Sequence, residues 1–300
     1  MSHWSEQEER SNLFWLSALG FAATYLGRGF LRILCVLIAL FFFLTAREAR
    51  DTSQAFLAKV LPCKPTWWHT FRHFYTFARV SSDRLLFLSG KWGRFELDIE
   101  GEDLVRAQEG QGCILLVSHL GTFDAMRVRA VEQEHFRLRI LIDRQHNPAA
   151  IQVIEKFNPG LAAGMIDASV PASILALTLS EALSDGEMIG IMADRAAMGD
   201  AVLPMNLLDG PANFPTGPWM LSMVLKVPVI LCFAVYLGGN RYKIRFHKVC
   251  DGESIPRAHR QKYLQDNMQQ YAAILEQYAL EHPYNWFNFY DFWANETSKN

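Results

Sequence analysis

No C-x-x-C pair occurs in the 300 residues, and the five cysteines, Cys35, Cys63, Cys113, Cys232 and Cys250, stand far apart. The sequence therefore spells neither a zinc ribbon nor a redox dithiol. An odd, scattered set, with Cys35 and Cys113 inside apolar runs, reads as small buried hydrophobes in a reducing compartment. Charge is also scarce: 20% of residues are Asp, Glu, Lys or Arg, and the formal net charge is -2. Without an overall basic field or a local basic stripe, nucleic acid is not an expected partner. The chain has no internal repeat, no low-complexity tract and no G-x-S-x-G nucleophile elbow. What it has in quantity is apolar side chain, 50% of residues with 13% aromatic, which excludes disorder as the main state and supports a sizeable core. Three hundred residues suit one large domain, or one domain with an appendage.

Between residues 13 and 46 the only charged residues are Arg28 and Arg32, and 33–44 is uninterrupted apolar sequence. That run is short for a bilayer span, and Glu6, Glu8 and Glu9 precede it, which disfavours a secretory signal. A membrane anchor or embedded helix is the expectation, with a helix buried in the core as the alternative. Flanking charge does not settle orientation. Residues 66–89 carry Trp67, Trp68, Phe71, Phe74, Tyr75 and Phe77 at helical spacing, for a helix lying on lipid or on core. His69 and His73 fall at i, i+4, but no Glu follows His69 and no third ligand offers itself, so they read as polar tips on an aromatic helix.

After Gly90 short apolar runs alternate with helical patterns, the signature of an α/β domain. Strands are expected at 95–99, 113–118, 138–142, 188–192, 228–236 and 242–247, and helices at about 121–134, 148–157, 171–184, 216–226 and 257–281. Pro, Gly, Asn and Asp punctuate joints at 158–160, 209–218 and 238–240. The chain thus divides into an apolar, aromatic helical module over 1–90 and an α/β domain over 91–300, with a mixed central sheet flanked by helices.

The run Cys113-Ile-Leu-Leu-Val-Ser-His-Leu-Gly-Thr-Phe-Asp124 is the most informative. A strand this apolar is buried on both faces, and polar residues at the carboxyl end of an inner strand are where open α/β sheets keep their ligands. His119 titrates near neutrality, and Asp124, in the first turn of the next helix, could turn back to hold one imidazole nitrogen. Ser118 points to the opposite face from its neighbour and is no nucleophile for it. The nucleophile must come from elsewhere, and an incoming substrate hydroxyl can fill that role: His119 would remove its proton as it attacks a thioester carbonyl, Asp124 would stabilise the imidazolium, and backbone amides near Gly121 could meet the oxyanion. His146, His247 and His259 show no evident partners.

Several blocks together resemble the lipid A late acyltransferases, the lauroyl and myristoyl transferases of the lysophospholipid acyltransferase superfamily. They are the apolar N-terminal helix, Val117-Ser118-His119-Leu120-Gly121-Thr122-Phe123-Asp124, Gly186-Glu187-Met188-Ile189-Gly190-Ile191-Met192-Ala193-Asp194-Arg195, Phe214-Pro215-Thr216-Gly217-Pro218, and the aromatic close from Pro283 through Tyr290. The resemblance implies His119 and Asp124 as the catalytic H-x-x-x-x-D dyad. It implies substrate contacts from Arg144 and from Asp194 with Arg195, the latter pair also falling at a strand's carboxyl end. Phe214, Thr216 and Gly217 enter as a turn into a helix whose open amides could meet an anion or a thioester oxygen, with Thr216 as N-cap. It further implies an acyl carrier protein or acyl-CoA donor, a hydroxyl on a membrane lipid as acceptor, and a catalytic domain on the cytoplasmic side of the bacterial inner membrane. No metal or organic cofactor is indicated. Lipid A enzymes of that type tend to be strongly basic, whereas this chain is mildly acidic, with pI near 6.5. The expectation is therefore an acceptor with fewer phosphates, in keeping with wording closer to a branch associated with aryl polyene or other specialised lipids. A thioesterase using the same dyad on water, and a non-catalytic lipid-binding member of the fold, stand as alternatives.

Overall fold

The computed structural model describes residues 27–132, 137–145, 148–196 and 200–293. Among these residues three helices come first: α1 (Gly27–Thr45), α2 (Arg47–Val60) and α3 (Trp67–Leu88). There follow β1 (Glu96–Glu100), α4 (Glu102–Arg106), β2 (Cys113–Val117), α5 (Phe123–Glu132), β3 (Leu138–Ile142), α6 (Pro148–Phe157), α7 (Pro159–Ala163) and β4 (Ile166–Asp167). The chain continues through α8 (Ala172–Ser184), β5 (Met188–Met192), β6 (Val202–Leu207), β7 (Gly210–Pro215), α9 (Gly217–Leu225), β8 (Val229–Gly238), β9 (Arg241–Cys250) and α10 (Arg260–Glu281).

Seven strands form one mixed sheet in the order β1-β9-β8-β2-β5-β3-β4, in which β8 and β9 are antiparallel and the other pairs parallel. This is the α/β architecture with helical flanks that the sequence predicts. β2 is buried at all five positions because helices cover both its faces. Its side chains alternate accordingly. Ile114 and Leu116 join Leu231 and Phe233 in a core closed by side chains of α2, α8, α9 and α10, whereas Leu115 and Val117 join Ile230 and Cys232 beneath Phe87 of α3 and Ala125 and Met126 of α5.

Helix α2 carries Phe56, Leu57 and Val60 into the same core as the sheet. Helix α1 instead sets Leu31, Cys35 and Ala39 against α3 and leaves Phe30, Ile33, Leu37, Leu40, Phe41 and Leu44 exposed. No single helix among the described residues is long and apolar enough to cross a membrane, and the 30–45 and 47–60 segments, long enough only together, bend by 98°. At that bend Arg50 donates to the carbonyl of Phe43.

Two features depart from the sequence reading. Val202–Leu207 and Gly210–Pro215 pair as an antiparallel hairpin, where a joint is expected over 209–218. Pro204, Pro211 and Pro215 disguise these strands, and the hairpin, a sheet apart from the main one, tolerates them. His73 is not a polar tip: it is fully buried, whereas His69 closes a capping box with Thr66 at the start of α3.

Candidate active site

The parallel pairing of β2 with β5 sets the site. Val117 lies opposite Met192, and Ala193 donates to the carbonyl of Val117 at 3.0 Å. Two residues beyond each strand end, this register brings His119 to Asp194. Asp194 Oδ1 lies 2.9 Å from His119 Nδ1, and its Oδ2 accepts from the His119 backbone N–H at 3.0 Å and from the Trp286 indole at 3.2 Å. The carboxylate is wholly buried, while the imidazole is 30% exposed.

Burial pushes the Asp194 carboxyl up, but the charge and hydrogen bonds of His119, with the nearby Arg195 guanidinium, outweigh it and hold the group at about 2. Burial, joined by the Arg195 charge, lowers His119 below its ordinary value despite the opposing pull of Asp194. At neutral pH the pair is thus carboxylate and neutral imidazole. An ionised carboxylate only accepts, so Nδ1 carries the proton and Nε2 carries the lone pair. Nε2 makes no hydrogen bond among the described residues. The arrangement is that of a general base whose tautomer is fixed from behind.

Asp124 serves other partners. Its Oδ2 lies 2.8 Å from Arg84 Nε of α3, and its Oδ1 accepts from Arg127 Nη1 at 3.2 Å, one helical turn on. No hydrogen bond joins Asp124 to His119, which corrects the expected geometry of the pair. The reason is local: Asp124 sits in the first turn of α5 beside Arg127, and α3 lays Arg84 across it.

The turn between them is equally committed. Leu120 N–H donates to Ser118 Oγ at 3.1 Å, Gly121 N–H to the Asn285 carbonyl at 2.8 Å, and Thr122 N–H to the Ala234 carbonyl at 2.9 Å. These amides are spent on holding the turn, so the oxyanion donors expected near Gly121 are not found in them. Gly121 has φ +78°, and a Cβ there would lie 1.9 Å from the Ala234 carbonyl oxygen, which leaves room for glycine alone.

The other anticipated residues scatter. Arg195 stands beside the dyad, donates to the Phe287 carbonyl at 2.7 Å and lies 5.0 Å over the Tyr290 ring. Arg144 is exposed, reaching Glu155 at 3.9 Å and the Ala162 carbonyl at 3.5 Å. Phe214 is wholly buried against Tyr271 and Phe292, so it belongs to the core rather than to a substrate surface. Thr216 occupies the N-cap position of α9 but spends its hydroxyl on the Ala201 carbonyl at 3.1 Å, so it caps nothing. Gly217, at the helix start, is exposed, and a side chain there would meet none of the described residues within 4 Å. His247 shares a hydrogen bond of 2.8 Å with Tyr278 Oη, His259 is exposed, and His146 lies outside the described residues.

Three residues that support the site are not assigned to it by the sequence reading: Trp286, Asn285 and His73. A tryptophan in an apolar segment needs a partner for its N–H, which is the signal that was there to use. His73, 213 positions from the Trp286 carbonyl to which it bonds, offered none.

A search of curated proteins returns no match. The family model described as bacterial lipid A biosynthesis acyltransferase matches residues 5–294.

Proposed function

Because this chain belongs to the bacterial lipid A biosynthesis acyltransferase family and is a lipid acyltransferase in the general sense, we propose that His119 is its general base. The observation that carries the reading is the buried, ionised Asp194 on Nδ1 of a partly exposed imidazole, with Nε2 left free among the described residues to accept a proton.

In this reading a hydroxyl of a lipid acceptor gives its proton to Nε2 as its oxygen attacks the carbonyl carbon of an acyl thioester. A C–O bond forms, the C–S bond breaks, and the proton on the imidazole passes to the departing thiolate. Asp194 stabilises the transient imidazolium. Base assistance of this kind contributes about 10² to 10⁴ in rate. The donor is an acyl carrier protein or coenzyme A thioester. Arg195 supplies positive charge beside the reacting centre, and Asp124 braces the turn through Arg84 and Arg127.

The exposed face of α1, with Trp67 and Trp68 at the start of α3, supports docking on a membrane surface, in this reading the cytoplasmic face of the inner membrane. Ile33 and Leu44 are each more than 60% exposed, and Phe43, Phe71 and Trp68 form a continuous ring series that links α1 to the tryptophans. A helix with one face on protein and an apolar face outward lies in the interface rather than spanning it, and tryptophans suit that depth.

The test incubates the purified protein with acyl carrier protein and coenzyme A thioesters, each with and without a bacterial membrane-lipid extract. Thiol release that needs the extract and yields a newly acylated lipid by mass spectrometry is expected. Release at equal rate without lipid would make the protein a thioesterase, and no release in any arm would remove the catalytic reading.

A further inference from the structure

Behind the dyad runs the segment from Asn285 to Tyr290, which bonds the Asp194 side chain and the backbone around His119. Trp286 donates its indole N–H to Asp194 Oδ2 at 3.2 Å. Phe287 N–H donates to the His119 carbonyl at 3.0 Å, and the Asn285 carbonyl accepts from Gly121 at 2.8 Å. The Asn285 amide side chain spans the backbone of Tyr236 in both directions, accepting at 2.7 Å and donating at 3.1 Å, which ties the segment to β8. The Phe287 carbonyl takes Arg195.

The segment is itself held from α3. His73 Nε2 lies 2.9 Å from the Trp286 carbonyl, and its Nδ1 lies 2.9 Å from Ser53 Oγ on α2. A carbonyl only accepts, so Nε2 carries the hydrogen and Nδ1 accepts from the serine hydroxyl. Phe56 and Phe292 pack edge-on against the buried indole at 5.3 and 4.9 Å.

We propose that Trp286 is a positioning residue for the acyl-transfer dyad: its indole N–H fixes the Asp194 carboxylate so that Oδ1 is presented to His119, while His73 and Ser53 hold Trp286 in place. This rests on His119 being the base of the proposed reaction. Without the indole, Oδ2 keeps only the His119 backbone N–H among the described residues, so the carboxylate is held less firmly, and the imidazole with it, and the effect falls on the turnover step rather than on substrate affinity. The N–H also shares the carboxylate's charge. Without it, more of that charge bears on His119, whose proton affinity rises against the opposing Arg195 and Arg84 charges.

The experiment is Trp286→Phe in the full chain, checked for folding by thermal unfolding, beside replacement of Trp286 by 3-benzothienylalanine, which keeps the ring shape and lacks the N–H. The expected result is a fall in kcat of about tenfold or more with KM changed far less, the size of one lost hydrogen bond to a charged group. The His119 titration, followed by NMR of ¹³C-labelled histidine, should move to higher pH. In an Asp194→Asn background the same change should cost little further activity, because the residue acts through Asp194. Unaltered kcat and unaltered His119 titration in the benzothienylalanine protein would overturn the proposal, as would a full additional loss in the Asp194→Asn background. Should the wild type transfer no acyl group, the catalytic reading fails by itself, and the His119 titration still reports whether the indole N–H acts on the pair.

Discussion

Asp194 grips His119 twice, through the backbone N–H and through Nδ1, although 75 residues separate them in the chain. The two contacts have different consequences. The backbone bond fixes where the turn after β2 leaves the sheet, and the ring bond fixes which imidazole nitrogen faces outward. Both follow from two parallel strands of matched register ending at the same level, so the pair is assembled by the sheet rather than by a local motif.

His119→Ala should lower kcat by at least about 10², the lower end of what a general base contributes, while the protein stays folded. Among the described residues the partly exposed ring hydrogen-bonds to Asp194 alone, so little packing is lost. Turnover within a few-fold of wild type, measured as thiol release with lipid present, would remove the histidine from the mechanism.

Asp124→Ala should reveal itself chiefly as lost stability. The change strips the carboxylate from Arg127, which is buried, and from Arg84, which is partly exposed. Breaking such a pair from one side typically costs roughly 3–5 kcal/mol, and the exposure of Arg84 places this case toward the lower end. Urea unfolding of the variant beside wild type measures it, and an unchanged midpoint would contradict the bracing role.

His119 and His73 each contribute a distinct response to acid. Because the His119 value lies below the ordinary one, the base stays neutral as pH falls past 6.5, and the acid limb of kcat/KM should lie below that point. Removing the Arg195 charge with Arg195→Met should move the limb upward. His73, pushed down to about 4 by burial, takes up its proton later than it does in the unfolded chain. The unfolded state therefore binds more protons between 6.5 and about 4, and His73 should take roughly 3 kcal/mol from the stability through that window. A flat urea midpoint from pH 7 to 4 would contradict the neutral, buried His73.

Charge placed on the outer face of α1 should release the protein from membranes without unfolding it. Leu37→Glu and Phe41→Glu alter exposed positions, whereas deleting the helix would also strip the cover that Leu31, Cys35 and Ala39 give to α3. Co-sedimentation with liposomes is expected to fall sharply in the double variant. Equal pelleting of variant and wild type would assign membrane contact to another surface.

The sheet and most of its helices were legible because apolar runs and helical spacing are local properties: 138–142, 148–157 and 188–192 match Leu138–Ile142, Pro148–Phe157 and Met188–Met192. His119 was legible for the same reason, as a polar residue ending a strand buried on both faces. Its partner was not. Asp124 is near in sequence, whereas Asp194 becomes near only once β5 is known to lie beside β2, and strand order is a long-range property that spacing does not encode. Asp194 was singled out by family likeness, as a substrate contact rather than as the imidazole's partner. The hairpin at 202–215 was hidden by its prolines, and the tie from His73 through Trp286 to Asp194 links segments that share no pattern.

The most direct measurement compares single-turnover acyl transfer in Asp194→Asn and Asp124→Asn, both verified as folded by thermal unfolding. If Asp194 sets the tautomer of His119, its amide variant should lose about 10² or more in rate, and Asp124→Asn should retain far more activity. A crippled Asp124→Asn protein beside an Asp194→Asn protein that turns over normally would contradict the account.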